Sequence, residues 1–176
     1  MTGRFDIGVV GAGYVGLVTG ACLSRLGHRV KCIDKDEDRV MGLTSAQIPF
    51  HEPGLEDLVS RGLGSGRLSF AGPEGLRRLA HEAEVIFIAV DTPQGEDGAA
   101  DLSSVAALAR SIGRALAQAS PGRERPLLVV NKSTVPVGSG DYVSMLIREG
   151  IDEEAGGEGE QAAESFVVAP NSEFLR

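Results

Sequence analysis

Phe5-Asp6-Ile7-Gly8-Val9-Val10-Gly11-Ala12-Gly13-Tyr14-Val15-Gly16 is a short apolar run that breaks into three glycines spaced G-x-G-x-x-G. A helical pattern follows at once, and its apolar stripe consists of Tyr14, Leu17, Val18, Ala21, Cys22 and Leu26. The stretch therefore predicts a strand, a tight turn and a helix whose N-terminus is left open.

Each glycine has a separate physical role in this interpretation. Gly11 permits the tight turn, Gly13 lets a pyrophosphate approach the backbone, and Gly16 lets the helix and the strand pack closely. The N–H groups of the first helical turn, at Tyr14 and Val15, then face the phosphates with the help of the helix dipole.

An acidic residue supports this interpretation. A second apolar run, Val30–Ile33, ends in Asp34, where a dinucleotide-binding unit places the carboxylate that accepts hydrogen bonds from the adenine ribose. A carboxylate there repels a 2′-phosphate, so the predicted cofactor is NAD rather than NADP. The alternative is that Asp34 merely starts the next turn, but the strand, turn, helix and second strand all favour the first interpretation.

Composition limits the remaining classes of function. The chain has 176 residues, a hydrophobic fraction of 42% and a net charge of −8, with seven of its acids in residues 149–164. No basic stripe indicates nucleic-acid binding, and no His, Cys or acidic pattern indicates a metal site.

The uncharged stretch from Ile7 to Ser24 is interrupted by five glycines, so we expect no membrane segment. The two cysteines form no disulfide framework, so we expect a cytoplasmic protein.

Strands and helices alternate along the chain. The predicted strands are Phe5–Val10, Arg29–Ile33, Leu68–Phe70, Val85–Val90, Leu127–Asn131 and Phe166–Ala169. The predicted helices are Tyr14–Leu26, Glu37–Ser45, Leu55–Arg61, a short one from Pro73 to His81, one from the N-cap Asp101 to Ala119, and Ser139–Arg148. Residues 152–164 are acidic and aperiodic, and we expect a mobile loop there. The pattern predicts one α/β domain over residues 1–176: a Rossmann-type, doubly wound, parallel six-stranded sheet of order 3-2-1-4-5-6 with helices on both faces.

Ligands of such sheets lie beyond the carboxyl ends of the strands. Thr92 and Pro93 follow the fourth strand and are expected to contact the middle of the cofactor, and Val90, the last residue of that strand, is also expected to contact the cofactor. Ser133 and Thr134 follow the fifth strand, near the expected nicotinamide position. The Thr134 hydroxyl either orients water or substrate there or caps the next helix. Arg39 either reaches the adenosine end beside Asp34 or is a solvated helix charge.

Motifs at these strand ends resemble those of the UDP-glucose/GDP-mannose dehydrogenase family. The matching segments are Val10–Leu17, Ile48-Pro49, Glu52–Leu55, Thr92-Pro93, Asp97-Gly98, Asp101–Ser103, Lys132–Gly138 and Asn171–Arg176. The Lys-Ser-Thr-Val-Pro and Glu-Phe-Leu-Arg elements are far more specific than the glycine motif.

The resemblance implies an NAD-dependent enzyme that oxidises the C6 alcohol of a nucleotide sugar twice, through a thioester on a cysteine. It implies that Thr134 helps to hold a catalytic water and that Glu173 assists thioester hydrolysis and lines the sugar site. It also implies that Phe174, Leu175 and Arg176 contact the substrate, largely through backbone groups. The implied substrate is UDP-glucose, with GDP-mannose or a UDP-N-acetylhexosamine as alternatives, and the implied full-length enzyme is a homodimer or a larger assembly.

Two departures from the family pattern limit these implications. Ser172 stands where the family usually has proline. Neither Cys22 nor Cys32 lies in the family's cysteine motif, so we expect this chain to be the cofactor-binding part of a longer enzyme, without the linker helix or the sugar-nucleotide domain. An NAD-sensing module without catalysis and another Rossmann dehydrogenase, such as a β-hydroxyacid enzyme, are the competing interpretations.

Overall fold

A computed structural model describes residues 3–95, 98–119, 125–133, 139–156 and 165–171. The six strands form one sheet of order β3-β2-β1-β4-β5-β6, and every neighbouring pair is parallel. The predicted fold class and strand order are thus confirmed.

The strands are β1 (Asp6–Val10), β2 (Arg29–Ile33), β3 (Leu68–Ala71), β4 (Val85–Ile88), β5 (Leu127–Asn131) and β6 (Phe166–Pro170). The α-helices are α1 (Tyr14–Arg25), α2 (Glu37–Thr44), α3 (Leu55–Gly64), α4 (Leu76–Glu82), α5 (Ser103–Ala119) and α6 (Ser139–Ala155), and a 3₁₀ turn at Pro73–Gly75 precedes α4. Asp36 caps α2 with its side chain, which accepts the Arg39 N–H at 3.0 Å. Helix α5 begins two residues after the predicted cap, and Asp101 accepts the Ser103 N–H at 2.8 Å.

Successive side chains along each strand point to opposite faces of the sheet, so the hydrophobic core is divided between the two faces. Ile7 and Val9 of β1 pack with Leu17 and Ala21 of α1 on one face, which we call the α1 face. Val10 belongs to the core on the other face, which we call the α5 face because α4, α5 and α6 pack there. β4 lies between β1 and β5, as its continuous apolar sequence predicts for a central strand.

The stripe predicted for α1 is partly wrong. Leu17 and Ala21 are fully buried, but Tyr14 is 48% and Leu26 is 74% exposed, and Cys22 is also exposed. The buried face instead runs through Gly16, Leu17, Gly20, Ala21 and Ser24. Small residues occupy this face because α1 lies close to the sheet: a Cβ atom on Gly20 would come within 2.7 Å of the Cys32 sulfur.

The acidic segment also differs from its prediction. Helix α6 continues to Ala155, so Asp152, Glu153 and Glu154 are helical rather than part of a loop. Ile151 is fully buried, and acidic side chains of α6 pair with α5: Arg110 binds Glu149 at 2.9 Å, Arg114 binds Glu153 at 3.0 Å and Gln118 donates to Glu154 at 2.9 Å. The rest of the predicted loop, residues 157–164, lies outside the described residues.

The backbones of helices α5 and α6 come into contact at two glycines, Gly113 and Gly150. A Cβ atom on Gly113 would overlap the Ile147 carbonyl oxygen, and one on Gly150 would overlap the Arg110 carbonyl oxygen. The two helix backbones are therefore in direct contact where these glycines face each other.

Across the described ranges, no helix is both long enough and apolar enough to span a bilayer.

Candidate cofactor site

The glycine turn between β1 and α1 has the predicted local geometry. Gly11 has φ +100°, a left-handed conformation that side chains disfavour, and a Cβ atom there would overlap the Ala89 carbonyl oxygen. A Cβ atom on Gly16 would overlap the Gly11 carbonyl oxygen. Gly13 differs from both, since the nearest atom to a Cβ there is an Asp91 carboxylate oxygen at 3.8 Å. Backbone fills the space beside Gly11 and Gly16, whereas the space beside Gly13 is open to a ligand.

Helix α1 starts without a side-chain cap. Its N-cap residue is Gly13, and its first turn contains no acidic side chain. The partial positive charge of this helix end is therefore not neutralised by its own side chains, as an anion site at a helix N-terminus requires.

Asp34 lies buried at the predicted adenosine end of the site. It is only 6% exposed, and its Oδ2 accepts the Ala12 N–H at 2.7 Å. Its Oδ1 accepts the Asp36 N–H at 3.0 Å, and Arg39 Nη1 donates to Oδ2 at 3.0 Å. Asp34 thus joins the end of β2 to the glycine turn, and Arg39 lies beside Asp34 rather than extending alone into solvent. An ionised carboxylate has about four acceptor positions, so three bonds leave capacity for a ribose hydroxyl.

A cleft of about 530 Å³ connects these groups at the carboxyl edge of the sheet. Of the predicted cofactor residues, it is lined by Gly11, Gly13, Asp34, Arg39 and Val90. Its far wall is made of side chains that the sequence analysis did not single out: Pro73 and Leu76 before and in α4, and Ser104, Ala107 and Leu108 in α5. An apolar wall beside an acidic residue suits an adenine ring next to its ribose.

Other predicted residues lie outside the lining of this cleft. Tyr14 is exposed; its hydroxyl bonds the Glu52 carboxylate at 2.7 Å and its ring lies 5.3 Å from that of Phe50. Thr92 is half-buried and Pro93 is exposed, and the Pro93 carbonyl accepts the Asp101 N–H at 2.8 Å. Val15 and Gly16 belong to the first turn of α1 but do not line the cleft.

Ser133 connects the ends of β4 and β5. Its hydroxyl donates to the Val90 carbonyl at 2.7 Å, and its N–H contacts the Asn131 Oδ1 at 3.2 Å. The Asn131 carbonyl in turn accepts the Asn171 N–H at 2.9 Å, which joins β5 to the end of β6. Sequence analysis missed Asn131, whose side chain is buried; within the described part of the chain its Nδ2 has no hydrogen-bond partner. Thr134 and the four predicted substrate residues, Glu173, Phe174, Leu175 and Arg176, lie outside the described residues.

The two cysteines occupy different environments. Cys32 is fully buried in β2, and burial, reinforced by the charge of Asp34, raises the pKa of its thiol from 9.0 to about 12. The thiolate is the nucleophilic form of cysteine, so Cys32 is unreactive at neutral pH. Cys22 is exposed on α1.

Comparison with known proteins agrees with this geometry. The sequence model of the NAD binding domain of the UDP-glucose/GDP-mannose dehydrogenase family matches residues 5–176. The chain belongs to this family. It forms the family's NAD-binding domain, and the predicted cofactor NAD is thereby confirmed.

Relatives within the UDP-glucose/GDP-mannose dehydrogenase family include the UDP-glucose 6-dehydrogenase of Pseudomonas aeruginosa. It is 45% identical over 170 residues, which are 96% of this chain and 34% of that protein. The GDP-mannose 6-dehydrogenase of the same organism is 34% identical over 170 residues, 97% of this chain and 36% of that protein. The chain thus spans about a third of the length of these relatives.

Solved structures of the family have the same fold. A UDP-glucose dehydrogenase from Pyrobaculum islandicum superposes with a TM-score of 0.82 at 40% identity, over 99% of this chain and 37% of that one. A GDP-mannose dehydrogenase from Pseudomonas aeruginosa superposes with a TM-score of 0.78 at 33% identity, over 97% of this chain and 36% of that one.

Proposed function

We propose that this chain supplies the NAD-binding part of a nucleotide-sugar 6-dehydrogenase that oxidises UDP-glucose to UDP-glucuronate with two molecules of NAD⁺ and one of water. The observation that carries the proposal is the cleft in which buried Asp34 is bonded to both the glycine turn and Arg39. Several curated relatives above 35% identity are UDP-glucose 6-dehydrogenases, which supports this substrate.

The residues of the cleft divide the binding of NAD between them. The open space beside Gly13 and the uncapped N-terminus of α1 receive the pyrophosphate. The Asp34 carboxylate accepts a hydrogen bond from the adenine ribose, and Leu76 and Leu108 pack on the adenine ring. Bound NAD⁺ supplies the hydride acceptor at its nicotinamide ring.

The reactive end of the site belongs to residues further along the chain. We assign to Thr134 the positioning of a water molecule and to Glu173 the role of general base toward that water. We assign contacts with the sugar nucleotide to Phe174, Leu175 and Arg176.

The remaining cofactor contacts in this proposal are those of Tyr14, Val15, Gly16, Thr92, Pro93 and Ser133. In this proposal residues 1–176 form one domain, and a further domain of the complete enzyme provides the catalytic cysteine and the sugar pocket.

The first test is cofactor binding by the 176-residue chain. Isothermal titration should detect NAD binding and much weaker NADP binding, because Asp34 repels the 2′-phosphate. Asp34→Ala should weaken NAD binding by about 1–3 kcal/mol, the range of a lost charge-assisted hydrogen bond. Unchanged NAD affinity in that variant would refute the role of Asp34. We expect no NADH formation from the 176-residue chain with any nucleotide sugar.

A second candidate substrate has its own support. A GDP-mannose dehydrogenase and a UDP-D-ManNAc dehydrogenase share the fold of this chain at TM-scores of 0.78 and 0.75. The complete gene product should therefore be assayed for NADH formation with UDP-glucose, GDP-mannose and UDP-N-acetylmannosamine in parallel. Preference for either of the last two would replace UDP-glucose in the proposal. We expect the complete enzyme to act in the cytoplasm as a homodimer or a larger assembly.

A further inference from the structure

A second cavity, of about 540 Å³, opens on the α5 face at the amino ends of β1, β2 and β3. It lies at the opposite edge of the sheet from the cofactor cleft. Four Lys and Arg residues line it, namely Arg29, Lys31, Arg67 and Arg78, together with His81.

The register of the sheet explains how the floor of this cavity forms. Gly8, Lys31 and Ser69 are direct neighbours on β1, β2 and β3. Leu79 of α4 lies over Gly8, where a Cβ atom would come within 2.4 Å of its Cδ2 atom. Leu79 and Glu82 of α4 form the wall of the cavity, and half-buried Lys31 and Ser69 line it where a covered parallel sheet would carry apolar residues.

Two of the four Lys and Arg residues that line the cavity already have acidic partners. Arg29 forms an ion pair with Asp6, and Arg78 binds Glu82 at 2.8 Å. Those two carboxylates are the acids that line the cavity. Among the described residues, Lys31 and Arg67 have no ion-pair partner. The Arg67 carbonyl accepts the Val30 N–H at 2.7 Å, which holds its backbone against β2 next to Lys31.

We propose that this cavity, which we call the basic cavity, binds a small phosphate-bearing anion through Lys31 and Arg67. A guanidinium and an ammonium lining one cavity can provide the charge-assisted hydrogen bonds that phosphate oxygens accept. The ion pairs of Arg29 and Arg78 leave Lys31 and Arg67 as the uncompensated charges. The site is separate from the cofactor cleft, although Lys31 and Asp34 lie three residues apart on the same part of the chain.

The test is calorimetric titration of the 176-residue chain, saturated with NAD so that the pyrophosphate position of the cofactor is occupied. Pyrophosphate is one probe, and UDP, which carries a diphosphate on a nucleoside, is the other. We expect saturable binding that weakens as salt is added. Tighter binding of UDP would identify a nucleotide as the ligand, and equal or tighter binding of pyrophosphate would identify a free phosphate.

Matched variants locate the binding. Lys31→Met with Arg67→Met should weaken binding of the tighter probe by about tenfold or more. The control is Arg61→Met with Arg77→Met, which removes the same charge from exposed positions outside the basic cavity. Circular dichroism and NAD affinity check that both double variants are folded. The proposal is overturned if neither probe saturates below about 10 mM, or if the two double variants bind the probes equally.

Discussion

Polypeptide backbones touch without intervening side chains in two regions of this molecule. At the start of α1, a side chain on Gly16 would overlap the carbonyl of Gly11, and at the crossing of α5 and α6, side chains on Gly113 and Gly150 would overlap carbonyls of the facing helix. The first region also contains Gly13, whose neighbouring space is open. The crossing of α5 and α6 has no such opening in its described residues, since both of its glycines meet backbone.

The difference separates two uses of glycine. At the crossing, glycine increases the stability of the domain by letting two long helices approach. At the start of α1, Gly11 and Gly16 do the same for a turn and a helix, whereas the space beside Gly13 stays open. Loss of stability and loss of cofactor binding should therefore follow from different glycines, and this can be measured.

The largest effect on stability is expected at the helix crossing. Gly113→Ala should lower the free energy of unfolding by about 2–3 kcal/mol, because its Cβ atom would force the α6 backbone away. Urea denaturation followed by circular dichroism measures this change. Gly64→Ala is the control, since no atom lies within 4 Å of its Cβ position and stability should be unchanged or slightly higher. Equal stability of the two variants would disprove the backbone contact.

Gly13→Val should show the opposite behaviour. We expect little loss of stability, because the backbone at Gly13 has φ −70° and the space beside it is open. NAD affinity should fall by about a hundredfold or more, roughly 2.7 kcal/mol, because the side chain occupies the pyrophosphate position. Calorimetry with NAD and a thermal melt of the same sample separate the two quantities. A variant that binds NAD normally would remove Gly13 from the site.

A smaller effect is expected from the charges along α5 and α6. The side chains of Arg110 and Glu149 are 36% and 42% exposed, so solvent screens their interaction. A double-mutant cycle with Arg110→Met and Glu149→Gln should give a coupling free energy below about 1 kcal/mol that decreases with salt. A larger, salt-insensitive value would mean that charge pairing, rather than the glycine contact, holds the two helices together.

The smallest effect is the pH dependence of stability that arises from Cys32 in β2, a strand that packs under α1. The pKa of Cys32 is raised from 9.0 to about 12 in the folded chain. Its neutral thiol favours folding fully below pH 9, and this contribution is lost as pH rises from 9 toward 12. By pH 9.5 the loss should be under about 1 kcal/mol. Urea denaturation at pH 8 and pH 9.5 should show a steeper decline for the natural chain than for Cys32→Ala, and equal declines would contradict the raised pKa.

Local patterns were sufficient to predict the strand order and the position of Asp34. Local patterns did not predict the contacts that a residue makes with partners far away in the sequence. Glu153 lies in the segment predicted as a loop, but α6 continues through it because Ile151 is buried and because Glu149 and Glu153 pair with Arg110 and Arg114 of α5. Tyr14 fits an apolar stripe by spacing, yet its hydroxyl bonds Glu52 in a proline-containing segment that no periodicity describes.

The set of residues that line the cleft was predictable only in part, because some of its walls come from elements that are remote in sequence. The fingerprint predicts a carboxylate at Asp34 and an open backbone at Gly13, because both requirements come from the cofactor. The apolar wall from Leu76 and Leu108 comes from α4 and α5, which the crossover connections bring over the carboxyl edge of the sheet. Such a wall has no sequence motif, since any apolar side chains of similar size would serve.

The bond between Asp34 and the Ala12 N–H has a consequence for engineering coenzyme preference. A common strategy for accepting NADP is to replace this acid with a small neutral residue, which removes the repulsion of the extra phosphate. Here the same replacement would also remove the acceptor of the Ala12 N–H and leave Arg39 with its pairing to Asp36 at 3.6 Å. A redesigned enzyme would therefore need a new acceptor for that amide, so a successful switch requires at least one compensating substitution as well.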